Sequence, residues 1–279
     1  MVLAIDIGNS DIVLGGYEND TLRFTSRCGT DRRKTADEYA LLFKGILELY
    51  NVSPRQIKGG IVASVVPSLR IIVQQAMERL THATFLTLAA GRKTGLNIRL
   101  DWPTELGNDL VADAVAAVDR YPKPVIIMDL GTATAVLVVD KKGAYLGGML
   151  HPGLRISLEA LSVSADQLPS IMLKAPERLI GRNTEECMQA GAVYGCAAML
   201  DGLIDRLEGE LGEPATAVIT GGFAPLIAPY CRREVVVDEN LLLNGLYIIY
   251  KKNTPPAAEQ PDRIPLVFSA PMWYNQCYK

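Results

Sequence analysis

Two short segments carry the same residue types in the same order. Val2-Leu3-Ala4-Ile5-Asp6-Ile7-Gly8-Asn9-Ser10 and Val125-Ile126-Ile127-Met128-Asp129-Leu130-Gly131-Thr132-Ala133-Thr134 each run from an apolar β-type stretch into Asp, an apolar residue, Gly, and then amide or hydroxyl side chains. Glycine lets backbone N–H groups approach an anion closely, and the residues after it add hydrogen-bond donors, so such a turn suits phosphate oxygens. An acid two residues earlier can hold a divalent cation that bridges those phosphates. One Asp-x-Gly after a strand is more often only a turn. Two copies, each heading one half of the chain, form a pair able to clasp a nucleotide from both sides. A third signal, Ala217-Val218-Ile219-Thr220-Gly221-Gly222, is a strand ending in small residues, where a flat ring has room against the backbone. Alone it reads equally well as a strand-to-helix turn.

A further acid, Asp109, follows Leu106-Gly107-Asn108 at the head of a helical pattern. There it can cap the helix or complement its dipole, and spacing alone favours that role over catalysis. His151 lies in a Gly148–Gly153 segment that reads as a turn; with His82 the only other histidine, it reads as a loop residue rather than a proton shuttle.

These residues need elements to hold them. Each Asp-x-Gly segment is followed by a second β run, 12–17 and 135–139, and then by the turn residues Glu18-Asn19-Asp20 and Asp140-Lys141-Lys142-Gly143, so each half opens with a hairpin. Helical periodicity covers 35–50, 67–80, 106–119 and 184–211, and short buried strands are expected at 60–66 and 217–220. Alternating strands and helices predict an α/β protein with covered sheets. The Pro-rich Tyr121-Pro122-Lys123-Pro124 marks a lobe boundary, giving an N-terminal lobe 1–121 and a C-terminal lobe 122–253. From Thr254 onward five prolines and isolated aromatics replace any period, and 254–279 reads as a disordered tail.

The bulk composition is consistent with two compact lobes. The chain has 279 residues, 49% hydrophobic and 21% charged, which excludes wholesale disorder. A net charge of −3 supplies no basic field for polyanions, so nucleic acid is not an expected partner. Cys28, Cys187, Cys196, Cys231 and Cys277 are odd in number and show no CxxC spacing, arguing against a disulfide framework or a zinc knuckle. Cys187 and Cys196 fall on the 184–211 helix and are expected to be buried. The first residues lack the basic region of a secretory signal, and no uncharged apolar stretch approaches the roughly 20 residues of a membrane span, so a cytoplasmic location without membrane contact is expected.

The order of the two turns and the late Thr-Gly-Gly resembles the sugar kinase, Hsp70 and actin superfamily over residues 1–253. That likeness implies two lobes of ribonuclease H-like (actin-like ATPase) fold, with mixed sheets flanked by helices. The likeness sharpens with Ser64-Val65-Val66-Pro67, Glu105-Leu106-Gly107-Asn108-Asp109, Gly147-Gly148 with Pro152-Gly153, Gly181-Arg182-Asn183-Thr184, the 30–39 segment and 241–246, which together resemble type III pantothenate kinases. The resemblance implies ATP-dependent phosphorylation of pantothenate to 4′-phosphopantothenate, the first step of coenzyme A biosynthesis. It casts Asp109 as the general base, Asp6 as the residue organising Mg2+, and Asp129 as an acid near the phosphates and a K+ or NH4+ ion. Gly8, Asn9, Ser10, Gly131, Thr132 and Thr134 would cradle phosphates, and Gly221 and Gly222 would face the nucleoside. Leu100, Gly107, Asn108, Asp109 and Leu110 fall at pantothenate-contacting positions. Thr184 matches a threonine that reaches pantothenate from the neighbouring subunit, implying a homodimer; by its residue types Asn183-Thr184-Glu185-Glu186 is also a competent helix start.

Two positions depart from the family pattern. Leu110 stands where Arg usually follows the catalytic Asp, and Leu100 where Tyr is common. Losing a charge-assisted contact costs about 1.5–3 kcal/mol when nothing compensates. Those two leucines keep open a paralogous kinase for another small hydroxyl compound, and a nucleotide-binding regulatory protein that has lost its chemistry. Retention of Asp6, Asp109 and Asp129 argues against the second.

Overall fold

The structure is a computed structural model in which residues 1–89 and 91–254 are described. The tail expected at 254–279 therefore lies, beyond its first residue, outside the described residues.

The first half opens with β1 (Val2–Ile7), β2 (Asp11–Glu18) and β3 (Thr21–Gly29), an antiparallel meander. Helix α1 (Ala36–Leu49) follows, started by a capping box in which Thr35 accepts from the Glu38 N–H and Glu38 accepts from the Thr35 N–H. Then come β4 (Gly59–Ser64), α2 (Pro67–Thr81) and β5 (Phe85–Thr87), with β4 and β5 parallel to β1. The sheet order is β3-β2-β1-β4-β5.

After a short strand β6 (Asn97–Ile98) and helix α3 (Asn108–Arg120), the same sequence of events recurs. Strands β7 (Val125–Leu130), β8 (Ala133–Val139) and β9 (Ala144–Pro152) form a second antiparallel meander. Helices α4 (Leu154–Ser164) and α5 (Thr184–Leu211) lead to β10 (Thr216–Thr220), parallel to β7. Helix α6 (Ala224–Ile227), strand β11 (Val236–Val237) and helix α7 (Leu241–Asn253) complete the described fold. The second sheet runs β11-β10-β7-β8-β9-β6; read from β9 to β11 its strands repeat the β3-β2-β1-β4-β5 order of the first sheet, with β6 added beyond β9. The sequence repeat is thus a repeat of a whole folding unit.

Strand parity decides which way the acids face. Leu3, Ile5 and Ile7 of β1 point into a core with Tyr39 and Phe43 of α1 and Leu69 and Val73 of α2, which turns Ala4 and Asp6 to the opposite face. In β7, Ile126, Met128 and Leu130 pack with Val193, Ala197 and Leu200 of α5, leaving Val125, Ile127 and Asp129 on the other face. Helix α3 occupies the space between those two inner faces: Val111, Ala112 and Val115 pack with Ala4 and Ile61, while Ala114 and Ala117 pack with Val125 and Ile127. Its alanines allow both sheets to approach. Helix α7 lies so close to α3 that a Cβ at Gly245 would run into the Ala112 carbonyl.

Two elements cross between the halves of the chain: β6 pairs with β9 in the second sheet, and α7 packs on the first through Leu243, Leu246 and Ile249.

The 184–211 helix is long and apolar enough to span a membrane by length and composition alone, yet Val193, Ala197, Leu200 and Ile204 are buried against the second sheet. Glu185, Glu186 and Asp201 also lie along it, as suits a core helix.

Two sequence expectations are corrected here. The Gly148–Gly153 segment is a strand, not a turn: β9 pairs with β8 through this region, placing His151 opposite Thr134, and cross-strand pairing overrides the glycine signal. Cys187 is exposed, because it sits in the first turn of α5 before the helix enters the core; Cys196 is half-buried.

Candidate active site between the two sheets

The paired turns face one another across a cleft of about 490 Å³. Each begins where a strand ends and is closed by one short backbone bond: the Gly8 N–H donates to Asp11 O (2.9 Å), and the Gly131 N–H to Ala133 O (3.1 Å). Ser10 Oγ and Thr132 Oγ1 lie 3.3 Å apart, so the two halves of the chain meet at the hydroxyls. Thr30 donates to the Gly8 carbonyl (2.8 Å) and Arg32 to the Asn9 side-chain carbonyl (3.2 Å), fixing the first turn from β3 and the loop after it. On the second turn, a Cβ at Gly153 would strike the Gly131 and Thr132 carbonyls, so glycine is required for α4 to start this close. That approach brings Arg155, two residues into α4, to donate to Ser10 Oγ at 2.7 Å.

The acids converge on the same cleft. Asp6 and Asp129 line it from the two strand ends; Asp109 comes from the first turn of α3, and Asp113 from one turn further along the same helix. Asp109 Oδ1 accepts from the Leu110 N–H (2.9 Å), and a Cβ at Gly107 would collide with that same oxygen. Asp6 Oδ1 is sealed from solvent without a hydrogen-bond partner, and so are both oxygens of Asp113, which is completely buried.

Burial in this low-dielectric space is the main cause of the electrostatics that follow. It pushes Asp6 up to about 8, with Asp109 and then Asp129 adding like-charge repulsion and Arg27 partly opposing it. Asp129 is pushed up to about 7 by burial and then by Asp109. Asp113 is held well above the carboxylate range by burial first, then by Asp129, Asp109, Asp6 and Asp238.

A buried, unpartnered oxygen on Asp6 facing other acids is a donor set for a hard cation. Among the described residues, no three His, Cys, Asp or Glu side chains form a cage able to hold an ion by themselves. The Asp6 carboxylate on the wall of this cleft fits magnesium, which keeps several waters and takes one or two carboxylates along with substrate phosphates.

Of the residues singled out from the sequence, Asp6, Gly8, Asn9, Ser10, Gly107, Asp109, Leu110, Asp129, Gly131, Thr132, Gly221 and Gly222 all line this cleft. Gly221 takes φ +87°, and a Cβ there would meet the Leu130 backbone at 2.7 Å, so the strand-end turn can be this tight only with glycine. Leu100 lines a smaller pocket that joins the cleft at Gly107 and Leu110. Asn108 is the half-buried first residue of α3 and does not line the cleft. Thr134 is buried and Thr184 exposed, and both line a separate, largely apolar cavity between α4 and α5. Sequence reasoning passed over Asp113, Arg155, Arg27, Glu105 and Glu239. Asp113 had a readable signal, an acid at i+4 from Asp109 in a run of Ala and Val; Arg155 had none, because it reaches Ser10 only through the packing of α4.

The two repeated sheets with facing Asp-x-Gly turns define an α/β protein of the actin-like ATPase architecture. A sequence model described as type III pantothenate kinase matches residues 2–206. The type III pantothenate kinase of Brevibacillus brevis is 43% identical over 253 residues, covering 91% of this chain and 99% of that one. That of Moorella thermoacetica is 42% identical over 255 residues, covering 91% and 100%. The chain belongs to the type III pantothenate kinase family. Among solved structures, a Campylobacter jejuni protein assigned to the Baf family of transcriptional activators superposes with TM-score 0.53 at 18% identity, covering 90% of this chain and 98% of that one. The ethanolamine utilization protein EutJ of Carboxydothermus hydrogenoformans gives 0.51 at 14%, covering 88% and 89%. These two likenesses concern the fold.

Proposed function

We propose that this protein transfers the γ-phosphoryl group of ATP to the primary hydroxyl of pantothenate, giving 4′-phosphopantothenate and ADP, the first step of coenzyme A biosynthesis. The observation that carries the reading is the convergence of both phosphate turns and Asp109 on one cleft in a member of this family.

The ATP phosphates lie between Gly8-Asn9-Ser10 and Gly131-Thr132, with Gly221 and Gly222 against the nucleoside. Asp109 accepts the hydroxyl proton as the oxygen forms its bond to the γ-phosphorus. The bond to the β,γ-bridging oxygen breaks, and its electron pair leaves with ADP. Because the transition state is loose, the proton moves late, so a carboxylate is basic enough for this role. Asp6, with Asp129 nearby, would hold Mg2+, which neutralises charge on the phosphate oxygens when bound. Asp129 would also stand next to the K+ or NH4+ ion.

The remaining expectations belong to the same reading: lobes at 1–121 and 122–253, with β6 and α7 crossing between them; a homodimer in which Thr184, exposed at the start of α5, reaches the partner's acceptor; and a cytoplasmic location.

The test is ADP release by the purified chain with ATP, Mg2+ and K+ or NH4+, with and without pantothenate, against Asp109→Asn. A general base contributes about 10²–10⁴-fold, so the variant should lose that much kcat while still binding ATP. ATP binding without acceptor-dependent turnover would sink the assignment.

A further inference from the structure

A cleft that takes ATP must hold a polyanion, and the walls of this one are acidic. Besides Asp6, Asp109, Asp113 and Asp129, the carboxylates of Asp11, Glu105 and Glu239 line it, and among the described lining residues Arg27 alone is basic. Mg2+ at Asp6 would neutralise charge at the end where the phosphoryl group moves. The part of the polyphosphate nearer the nucleoside needs a cation of its own.

Arg27 stands on β3 opposite Val13 of β2 and belongs to both halves of the site. Its Nη1 donates to Asp11 Oδ2 at 3.2 Å, and the Asp11 carbonyl is the one that accepts from Gly8 to close the first turn. The same guanidinium lies over the second half of the chain: a Cβ at Gly222 would stand 3.3 Å from Nη1 and 3.9 Å from Nη2. Arg27 therefore bridges the first phosphate turn and the glycine turn set against the nucleoside, and the α- and β-phosphates of ATP are what joins those two points. Arginine offers five N–H donors in a planar fork, so one bond to Asp11 leaves donors for phosphate oxygens. That bond is solvent-exposed, with the two side chains 55% and 39% exposed, and yields readily to a stronger anion. The field of Arg27 also reaches Asp6, where it partly opposes the repulsion from Asp109 and Asp129. Arg32 and Arg155 touch the first turn at Asn9 and Ser10, and neither lines the cleft.

We infer that Arg27 is a nucleotide-binding residue whose guanidinium, oriented by Asp11 and laid over Gly222, pairs with the α- and β-phosphates of ATP. The inference rests on the kinase reading for the direction in which the nucleotide lies. It adds the residue that holds the two phosphates kept by the product ADP, so Arg27 grips substrate and product alike, while Ser10, Thr132 and Arg155 face the γ-phosphate.

The experiment titrates Mg-ADP and Mg-β,γ-imido-ATP into the full chain by calorimetry, for the unaltered protein, Arg27→Gln, Arg27→Lys and Asp11→Asn. Arg27→Gln should weaken both nucleotides by the same factor, about tenfold at low salt, the lower end for a charge-assisted contact because solvent screens it. Arg27→Lys keeps the charge without the fork and should lose less. Asp11→Asn removes the ion pair but leaves the guanidinium in place, and should cost less than about twofold. In ADP-release assays the Arg27→Gln defect should reside in KM for ATP rather than in kcat, as for an interaction made equally before and during transfer. Unchanged ADP affinity in Arg27→Gln, a loss confined to the triphosphate analogue, or an equal loss in Asp11→Asn overturns the inference; the last would make the Arg27–Asp11 pair a purely structural tie. Mg-ADP binding that depends on Arg27 without pantothenate-dependent turnover sinks the kinase reading and leaves the nucleotide contact standing. Absence of nucleotide binding by the unaltered protein overturns both.

Discussion

Ser10 Oγ lies 3.3 Å from Thr132 Oγ1, although 122 residues separate them. Each hydroxyl belongs to the last residue before the second strand of its hairpin, and their contact closes the cleft where the phosphates are proposed to lie. If both act on the same phosphate group, they act as a coupled pair. Ser10→Ala and Thr132→Ala should each weaken Mg-ATP binding about fivefold, the worth of one neutral hydrogen bond, and the double variant should fall short of the product of the two. Calorimetric titration of the four proteins decides; strictly multiplicative losses would mean that the two hydroxyls work independently.

Arg155 reaches the same point from α4, donating to Ser10 at 2.7 Å, with its side chain 55% exposed and a longer link to Glu159 at 3.8 Å. A cation there should attract the γ-phosphate. Arg155→Ala should raise the KM for ATP about tenfold, the lower end of the charge-assisted range because solvent screens the site. Thermal stability should change little, since the side chain supports no core. An unchanged KM with a lowered Tm would assign Arg155 to structure alone.

Asp113 is completely buried with neither oxygen partnered, and Asp129, Asp109, Asp6 and Asp238 are the charged groups acting on it. Its folded-state pKa is raised, so the folded state keeps a proton that the unfolded chain releases. The raised group favours folding fully only below the unfolded value of about 3.9, and that advantage is lost as pH rises toward the folded pKa. Asp113→Asn should therefore raise Tm at pH 8, with the gain shrinking as pH is lowered toward 4. A gain independent of pH would show that ionisation is not its cause.

Gly245 marks a close approach of α7 to α3. Gly245→Ala should destabilise by about 1–3 kcal/mol in urea unfolding, because the Ala112 carbonyl is backbone and cannot swing away. Gly209→Ala on α5, where a Cβ meets nothing, serves as the control and should stabilise by about 0.5–1 kcal/mol. Equal effects at the two sites would contradict the close-contact account.

Much of this was legible in the chain. The two Asp-x-Gly turns, their hairpins, helices α1, α2, α3 and α5 and strands β4 and β10 follow from short-range periodicity and punctuation, which depend on neighbouring residues only. The same signals failed at β9, where the glycines suggested a turn and pairing with β8 made a strand, and at Cys187, where helix membership said nothing about depth. Thr134 belonged to the motif but faces away from the cleft, because the strand alternates just after the turn.

What the sequence by itself determined is the inventory: two Asp-x-Gly turns, a helix headed by an acid, and a family pattern with leucines at positions 100 and 110. Only the tertiary structure decided that Asp6 and Asp129 face inward, since that depends on which side of each strand the helices cover. It also buried Asp113 without a partner, brought Arg155 to Ser10, and laid Arg27 over Gly222. Proximity between residues distant in sequence is a property of packing, and no local pattern encodes it.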